Sequence, residues 1–445
     1  MALREGRLTL MLALPIIAGQ LSQMLMGLID TVMIGKLGTD ELATVAFVSV
    51  LFNMPFVFGI GLFASISVLV SHQHGSAKNH DRLAEILRNG LLCAVGLGVL
   101  LAALMFSSLL FLDKLKQPEA VVELTPTYLF WIALSLVPIV PAFTIKSYIE
   151  ARNHPWLVLW VMLLGVVANF VLNYILIFGN FGFPHLGLAG AGIATLLARF
   201  ISLAGLLILL HKSKHLNTCL PTRWLKPLDF GICREVLKMA MPISGQLLME
   251  FGSFSVVALL IGRFGSVALA AHQIAMSCIT VTFMIPLGLA MAVTIRVGHT
   301  LSTGQRTQCG RLILSAHAMS LIVMTVCALL FVSCGEVISR VFSQDLEVIA
   351  LAGSLFVIVA LFQIFDGTQV ISMSALRGLK DVNVPTGLLF VSFWVTGIPL
   401  GIWLAFSQGW QARGLWTGLA CGLALAAIIL SLRLKQQFNK VPQEA

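Results

Sequence analysis

The chain has 445 residues, of which 58% are hydrophobic and only 11% charged, against about 25% charged in soluble globular domains. That balance excludes a soluble domain and indicates an all-α integral membrane protein, because a helix of about 20 apolar residues crosses a hydrocarbon layer roughly 30 Å thick. The formal net charge of +9 would suit nucleic acid in a soluble protein, but here the basic residues lie in short segments between apolar runs, so the expected partner is the lipid bilayer and not nucleic acid.

Apolar runs punctuated by Gly, Pro and charged residues predict twelve membrane-spanning helices, the first six near 8–34, 44–71, 84–112, 124–149, 156–180 and 187–211. The first is too long for a signal-peptide core and is read as a retained helix. On it, Gln20, Gln23, Gly27 and Asp30 fall within an arc of about 80°, a polar stripe that cannot face lipid. Asp30 stands out, since a carboxylate in hydrocarbon costs roughly 2.5–3.5 kcal/mol on insertion scales. His72 and His74 follow the second span and read as solvated loop residues, without an acidic or cysteine partner that would make a metal site. Asn169 and Asn173 share a face of the fifth span, and Arg199 on the sixth reads as the one basic residue deep in a span. The polar stretch 212–235 reads as a cytoplasmic linker between an N-terminal lobe, 1–211, and a C-terminal lobe, 236–445.

The second six spans are predicted near 236–262, 268–297, 309–334, 347–376, 384–407 and 412–434. Gln246, Glu250 and Ser253 form a narrow stripe on the seventh, and Gln363, Asp366 and Gln369 or Val370 a similar one on the tenth. His272, at the start of the eighth, reads as a packing residue, Met24 and Met26 as core filler, and the eight cysteines as small core residues, with no C-x-x-C pair.

The halves resemble each other at a constant spacing. "ALPIIAGQL" from Ala13 recurs as "AMPISGQL" from Ala240, "IGKLG" from Ile34 as "IGRFG" from Ile261, and His72 as His299. Six spans per half give both copies the same orientation, so the expected architecture is two pseudo-symmetric six-helix bundles, with a binding site where the halves face each other. Lys and Arg crowd one set of loops and ends, from Arg4 and Arg7 to Arg433 and Lys435. The opposite set holds only Lys36, Lys114, Lys116, Arg263, Arg340 and Arg413, which places both termini in the cytoplasm.

Apart from residues near the helix ends, three acids stand inside the predicted spans: Asp30, Glu250 and Asp366. Polar intramembrane groups can serve only to hold helices together through hydrogen bonds, and that alternative stays open for Gln20, Gln246, Asn169 and Asn173. An intramembrane carboxylate must remain protonated or find a cation, which is the chemistry of a coupled exchanger. No G-x-x-x-x-G-K-[ST] loop is present, so an ion gradient, not ATP bound on this chain, is expected to supply the energy. Neither G-x-S-x-G nor H-E-x-x-H occurs, and an enzyme is not expected.

With "ALPIIAGQLSQMLMGLIDTVMIGKLG" at the first span, "ALAAHQIA" at the eighth and "ALRGLKDVNVP" after the tenth, the sequence resembles the multidrug and toxic compound extrusion (MATE) family, and within it the NorM-like bacterial exporters. The resemblance covers nearly the whole chain. It implies a MATE-like fold of two lobes around a central cleft, and export of cationic, amphipathic small molecules against inflow of Na+ or H+. It also implies no cofactor, and functional acids on the first, seventh and tenth helices at Asp30, Glu250 and Asp366, with Glu250 and Asp366 as a candidate Na+ site. Phe362 stands where sodium-coupled members carry a tyrosine; its ring keeps a face for a cation but offers no hydroxyl. A monomer in the bacterial cytoplasmic (inner) membrane is expected. Competing readings are a flippase for a lipid-linked saccharide, which would favour a basic cleft, and a non-transporting scaffold or receptor, which would need no internal acids.

Overall fold

The structure is a computed structural model describing residues 2–73, 80–115, 118–221, 223–224 and 226–441; His74 lies outside the described residues. The helices are α1 (Ala2–Ile34), α2 (Thr39–Ser71), α3 (His80–Ser107), α4 (Glu119–Leu134), α5 (Leu136–Ala151), α6 (Pro155–Phe178), α7 (Gly187–Lys212) and the short α8 (Lys214–Asn217). They are followed by α9 (Phe230–Ile261), α10 (Ser266–Ser302), α11 (Arg306–Phe342), α12 (Leu346–Gly378), α13 (Asn383–Phe390), α14 (Ile398–Ile402) and α15 (Gln411–Asn439). Among the described residues they make twelve spans long and apolar enough to cross a membrane, as the apolar runs predict. Two spans are compound. Glu119–Ala151 is α4 and α5 joined at Ser135, where Pro138 cannot donate to the carbonyl four residues before it. Asn383–Ser407 passes through α13 and α14, and a π-helical stretch, Val391–Gly397, widens the helix just before Pro399.

The chain forms two compact units that are not continuous in sequence. One holds Met1–Ile17 and Gly245–Ala445, the other Ala18–Ser244, so the boundaries fall inside α1 and α9 and not in the expected linker at 212–235. Side-chain pairing explains this. In the first unit, Arg296 of α10 donates to the Glu5 carboxylate at 2.5 Å and to its carbonyl at 2.7 Å, while Gln308 of α11 donates to the same carboxylate at 3.2 Å. The start of α1 is thereby fixed to α10 and α11. In the second unit, Asn89 of α3 accepts from the Asp229 N–H at 3.0 Å, Arg82 pairs with Glu235, and Ser244 donates to the Phe58 carbonyl at 3.2 Å, so the linker and the start of α9 belong with α2 and α3.

Within each unit the helices pack by one scheme. In the second unit α5 packs on α2, α3 and α7, and α6 on α7; in the first, α12 packs on α10, α11 and α15, and the segment through α14 on α15. These pairings correspond span for span under the 227-residue repeat read from Ala13 and Ala240. Small residues allow the closest pairs. A Cβ on Gly414 of α15 would lie 2.6 Å from the Ala405 nitrogen, and one on Gly418 would collide with Gly401 backbone. Without a hydrophobic drive between helices in lipid, such backbone approach is what association relies on.

The replacement Gly418→Val is expected to separate α15 from α14, costing about 1–3 kcal/mol or more of packing. A melting temperature in detergent lowered by several degrees, with the preceding surface variant Thr417→Val unchanged, is the expected result.

Candidate functional site

The three acids fall into two sites, one in each unit. In the unit Ala18–Ser244, Asp30 is half-buried near the C-terminal end of α1. Asn173 of α6 donates to its Oδ1 at 2.6 Å, and Thr195 of α7 donates to its Oδ2 at 3.3 Å. Asn173 also donates to Asn169 Oδ1 at 3.3 Å; both asparagines are fully buried, and Asn169 Nδ2 and Asn173 Oδ1 have no partner. The Asn169–Asn173 spacing of one helical turn puts both amides on the face that meets α1, as their shared stripe predicts. Arg199 donates to Ser135 Oγ at the α4–α5 joint and lies over the Phe52 ring, 4.7 Å from its centroid, so it acts on Asp30 through space without forming a salt bridge. Gln20 is half-buried and takes no part in this cluster, and Gln23 reaches only the Met162 sulfur, at 3.7 Å.

In the unit Met1–Ile17 with Gly245–Ala445, Asp366 of α12 is 2% exposed and its Oδ2 has no hydrogen-bond partner. Glu250 of α9, half-buried, is its electrostatic neighbour. Gln363 donates to Thr282 of α10 at 2.5 Å, which leaves its Oε1 unpartnered; Gln369 Oε1 and His272 Nδ1 are likewise buried without a partner. The wall is aromatic. Phe362, 2% exposed, meets Phe254 edge-on at 5.8 Å and Trp416 at 6.1 Å, and Trp416 meets His272 at 5.5 Å. Ser253 turns back to its own helix, donating to the Glu250 carbonyl at 2.7 Å.

Gln246 is placed differently from its stripe partner. Its amide donates to the Val382 carbonyl and Thr386 Oγ1, both at 3.0 Å, and its oxygen accepts two bonds from Arg377, at 3.1 and 2.8 Å. It is a bracket that holds α9 to the turn after α12 and aims the Arg377 guanidinium, whose charge acts on Glu250. The sequence pattern assigns Arg377 to a loop, whereas the structure turns it inward from the last turn of α12; a long side chain near a helix end carries its charge about a turn away from its own Cα. Arg199 is also not the sole buried base. Lys146 and Glu150 pair at 3.1 Å with 1% and 3% side-chain exposure, and Arg296 pairs with Glu5. Among the described residues no group of three His, Cys, Asp or Glu could hold a metal ion, so Glu250 and Asp366 stand as a pair of carboxylates and not as a larger ligand cluster.

A cavity of about 520 Å³ lies elsewhere in the second unit, bordered by Lys36, Glu41, Thr127 and His185, and it includes none of the three acids.

The MatE family model matches residues 15–175 and 242–403, the two repeated halves. Among curated proteins, a probable multidrug resistance protein NorM of Xanthomonas campestris pv. campestris is 36% identical over 454 residues, covering 98% of this chain and 95% of the relative. One from Mesorhizobium japonicum is 33% identical over 438 residues, covering 97% and 93%. Among solved structures, the eukaryotic MATE transporter AtDTX14 aligns with a TM-score of 0.89 at 21% identity, covering 99% of this chain and 98% of that one. The Vibrio cholerae MATE transporter VcmN in its bent form aligns with a TM-score of 0.89 at 20% identity, covering 98% of each chain. The fold, the repeated halves and the full-length similarity agree: the chain belongs to the MATE family of multi-pass membrane transporters.

Proposed function

We propose that the protein is a secondary antiporter that exports cationic or amphipathic organic compounds by alternating access, in exchange for Na+ or H+. The observation that carries this reading is Asp366, a carboxylate 2% exposed with an unpartnered oxygen, beside Glu250. An acceptor that no protein donor fills, in a membrane interior without bulk water, gains most from a proton or a small cation. The relatives carry the name multidrug resistance protein, which agrees with an exporter. Because nothing in the sequence supplies a nucleotide-binding loop, the driving force is the ion gradient, about 2.3 kcal/mol per charge for each 100 mV.

In this scheme the coupling ion is a substrate held by Glu250 and Asp366, with the amide oxygens of Gln363 and Gln369 as further acceptors in reach of the same stripe. Occupancy changes the charge on α9 and α12 and lowers affinity for a cationic drug; by linkage, drug binding weakens ion binding by the same factor. Arg377 keeps the pair from binding its ion too tightly, since a fixed cation near Glu250 competes with a mobile one. Asp30 does analogous work in the other unit, its geometry fixed by Asn173 and Thr195. The proposed setting is the bacterial cytoplasmic membrane, with both termini in the cytoplasm and a monomer as the working unit.

Replacing Glu250 or Asp366 by its amide is expected to abolish drug uptake into inverted vesicles under either a Na+ or a H+ gradient, with membrane insertion unchanged. Unchanged uptake by Asp366→Asn would refute the assignment. Replacing Arg377 by Gln, which can still hydrogen-bond Gln246, is expected to lower the half-saturating concentration of the coupling ion several-fold and to slow turnover at saturating drug. Concentration dependence of transport in proteoliposomes measures both. Asn173→Leu removes the shortest bond to Asp30 and is expected to reduce export about tenfold without abolishing it, read as drug accumulation in cells lacking other exporters.

A further inference from the structure

Three helices of the first unit bring an imidazole and two hydroxyls into one chain that the antiport reading does not use. His317 of α11 bonds through Nδ1 to the Ile313 carbonyl at 2.9 Å and through Nε2 to Ser372 Oγ of α12 at 3.0 Å. Ser372 Oγ lies 3.0 Å from Ser431 Oγ of α15, and Ser431 bonds to the Ala427 carbonyl at 2.7 Å. Ser372 is fully buried, and His317 and Ser431 are half-buried.

The number of hydrogens available limits how many of the contacts along this chain can be hydrogen bonds at once. Its two ends are carbonyl oxygens, which only accept, so both must be reached by hydrogens from within the chain. Four contacts therefore need four hydrogens. A neutral imidazole supplies one and the two hydroxyls one each, which leaves one contact as two acceptors facing each other at hydrogen-bond distance. An imidazolium supplies the fourth. Nδ1–H then donates to Ile313, Nε2–H to Ser372, Ser372 to Ser431 and Ser431 to Ala427, with every bond running in one direction.

We infer that His317, with Ser372 and Ser431, is a second proton-binding site in this unit, separate from the Glu250–Asp366 pair. It shares α12 with one member of that pair: Asp366, Gln369 and Ser372 stand three residues apart, all at 2% exposure or less, and Asp366 and Gln369 each present an unpartnered oxygen. Six residues rise about 9 Å along a helix, so the two sites are close in level but separate. The helices packed on α11 and α12 carry arginines of their own, each with a partner. Arg377 of α12 is bonded to Gln246, Arg433 of α15 to Asp381 at 2.8 Å, and Arg296 of α10 to Glu5 of α1. Their fixed positive charges do not favour an imidazolium, and no acidic side chain pairs with His317 among the described residues, so the hydrogen count alone carries the assignment. That the bound proton serves exchange rests on the antiport reading; that the site binds one does not.

The test is nitrogen-15 NMR of the full chain in lipid nanodiscs, with all ten histidines ring-labelled and protons as the only ligand. The resonance lost in His317→Gln is expected to report a substantial imidazolium fraction at about pH 7, where an ordinary histidine is mostly neutral. Ser431→Ala removes the hydroxyl that must pass its hydrogen to Ala427, leaving two contacts that a neutral imidazole and Ser372 fill completely. It is therefore expected to lower the imidazolium fraction at the same pH about threefold or more. If His317→Gln fails to fold, Ser372→Ala assigns the same resonance through the shift it causes. A wild-type imidazole still neutral at about pH 5.5, or a fraction unmoved by Ser431→Ala, overturns the proposal. Drug transport lost or retained in these variants bears on the antiport reading and leaves the titration result as it stands.

Discussion

An ionised carboxyl group offers more acceptor sites than a bundle of apolar helices can fill, and Asp366 sits where no donor reaches one of its oxygens. In water such a deficit costs nothing. In a membrane interior it is a strong local demand on the structure, one that protonation or a cation meets, since Gln363 and Gln369 on the same stripe leave their oxygens unpartnered and neither amide donates to the acid. Phe254 and Trp416 pack edge-on around Phe362, one turn before the acid, and the buried Trp416 indole N–H is itself left without a partner.

The other unit solves the same problem by the opposite means. Asp30 receives donors from Asn173 and Thr195, with a guanidinium acting through space. The two acids are not counterparts under the repeat, since Val257 stands where the second half would repeat Asp30 and Ile139 where the first would match Asp366; each half carries its own electrostatic arrangement. Duplication preserves backbone contacts more easily than polar chemistry, because the close approaches at residues such as Gly414 and Gly418 depend on shape alone. One inward-facing amide, by contrast, reverses the role of a site.

What could be read from the sequence follows the same division. Span positions, the repeat and the three acids were legible because a run of about 20 apolar residues, a fixed spacing and a lone carboxylate are one-dimensional signals. Arg377 was not, because its Cα lies in a basic helix end and only the fold shows its side chain turned back on Gln246. Nor were the unit boundaries: what assigns Glu5 to one unit is Arg296, nearly 300 residues later, and no local pattern announces such a partner. Gln246 shows the limit most clearly. Its stripe placed it correctly on the inward face of α9, but whether an inward amide lines a site or braces one depends on the partner it meets, here the Val382 carbonyl.

Donor and acceptor counts therefore carry information that charge and burial alone miss. The Gln246 bracket closes its count, with two donors given and two bonds accepted. Around Asp366 the count is short of donors, and along His317, Ser372 and Ser431 it is short by one hydrogen. Both deficits lie in one unit and touch α12, so under the proposed antiport an ion filling them would act on the helix that packs against α10, α11 and α15 together. A helix with that many neighbours cannot respond to occupancy alone; any change in its hydrogen bonding is shared with the three helices around it, which is how an event at two oxygens can reach the arrangement of a whole bundle.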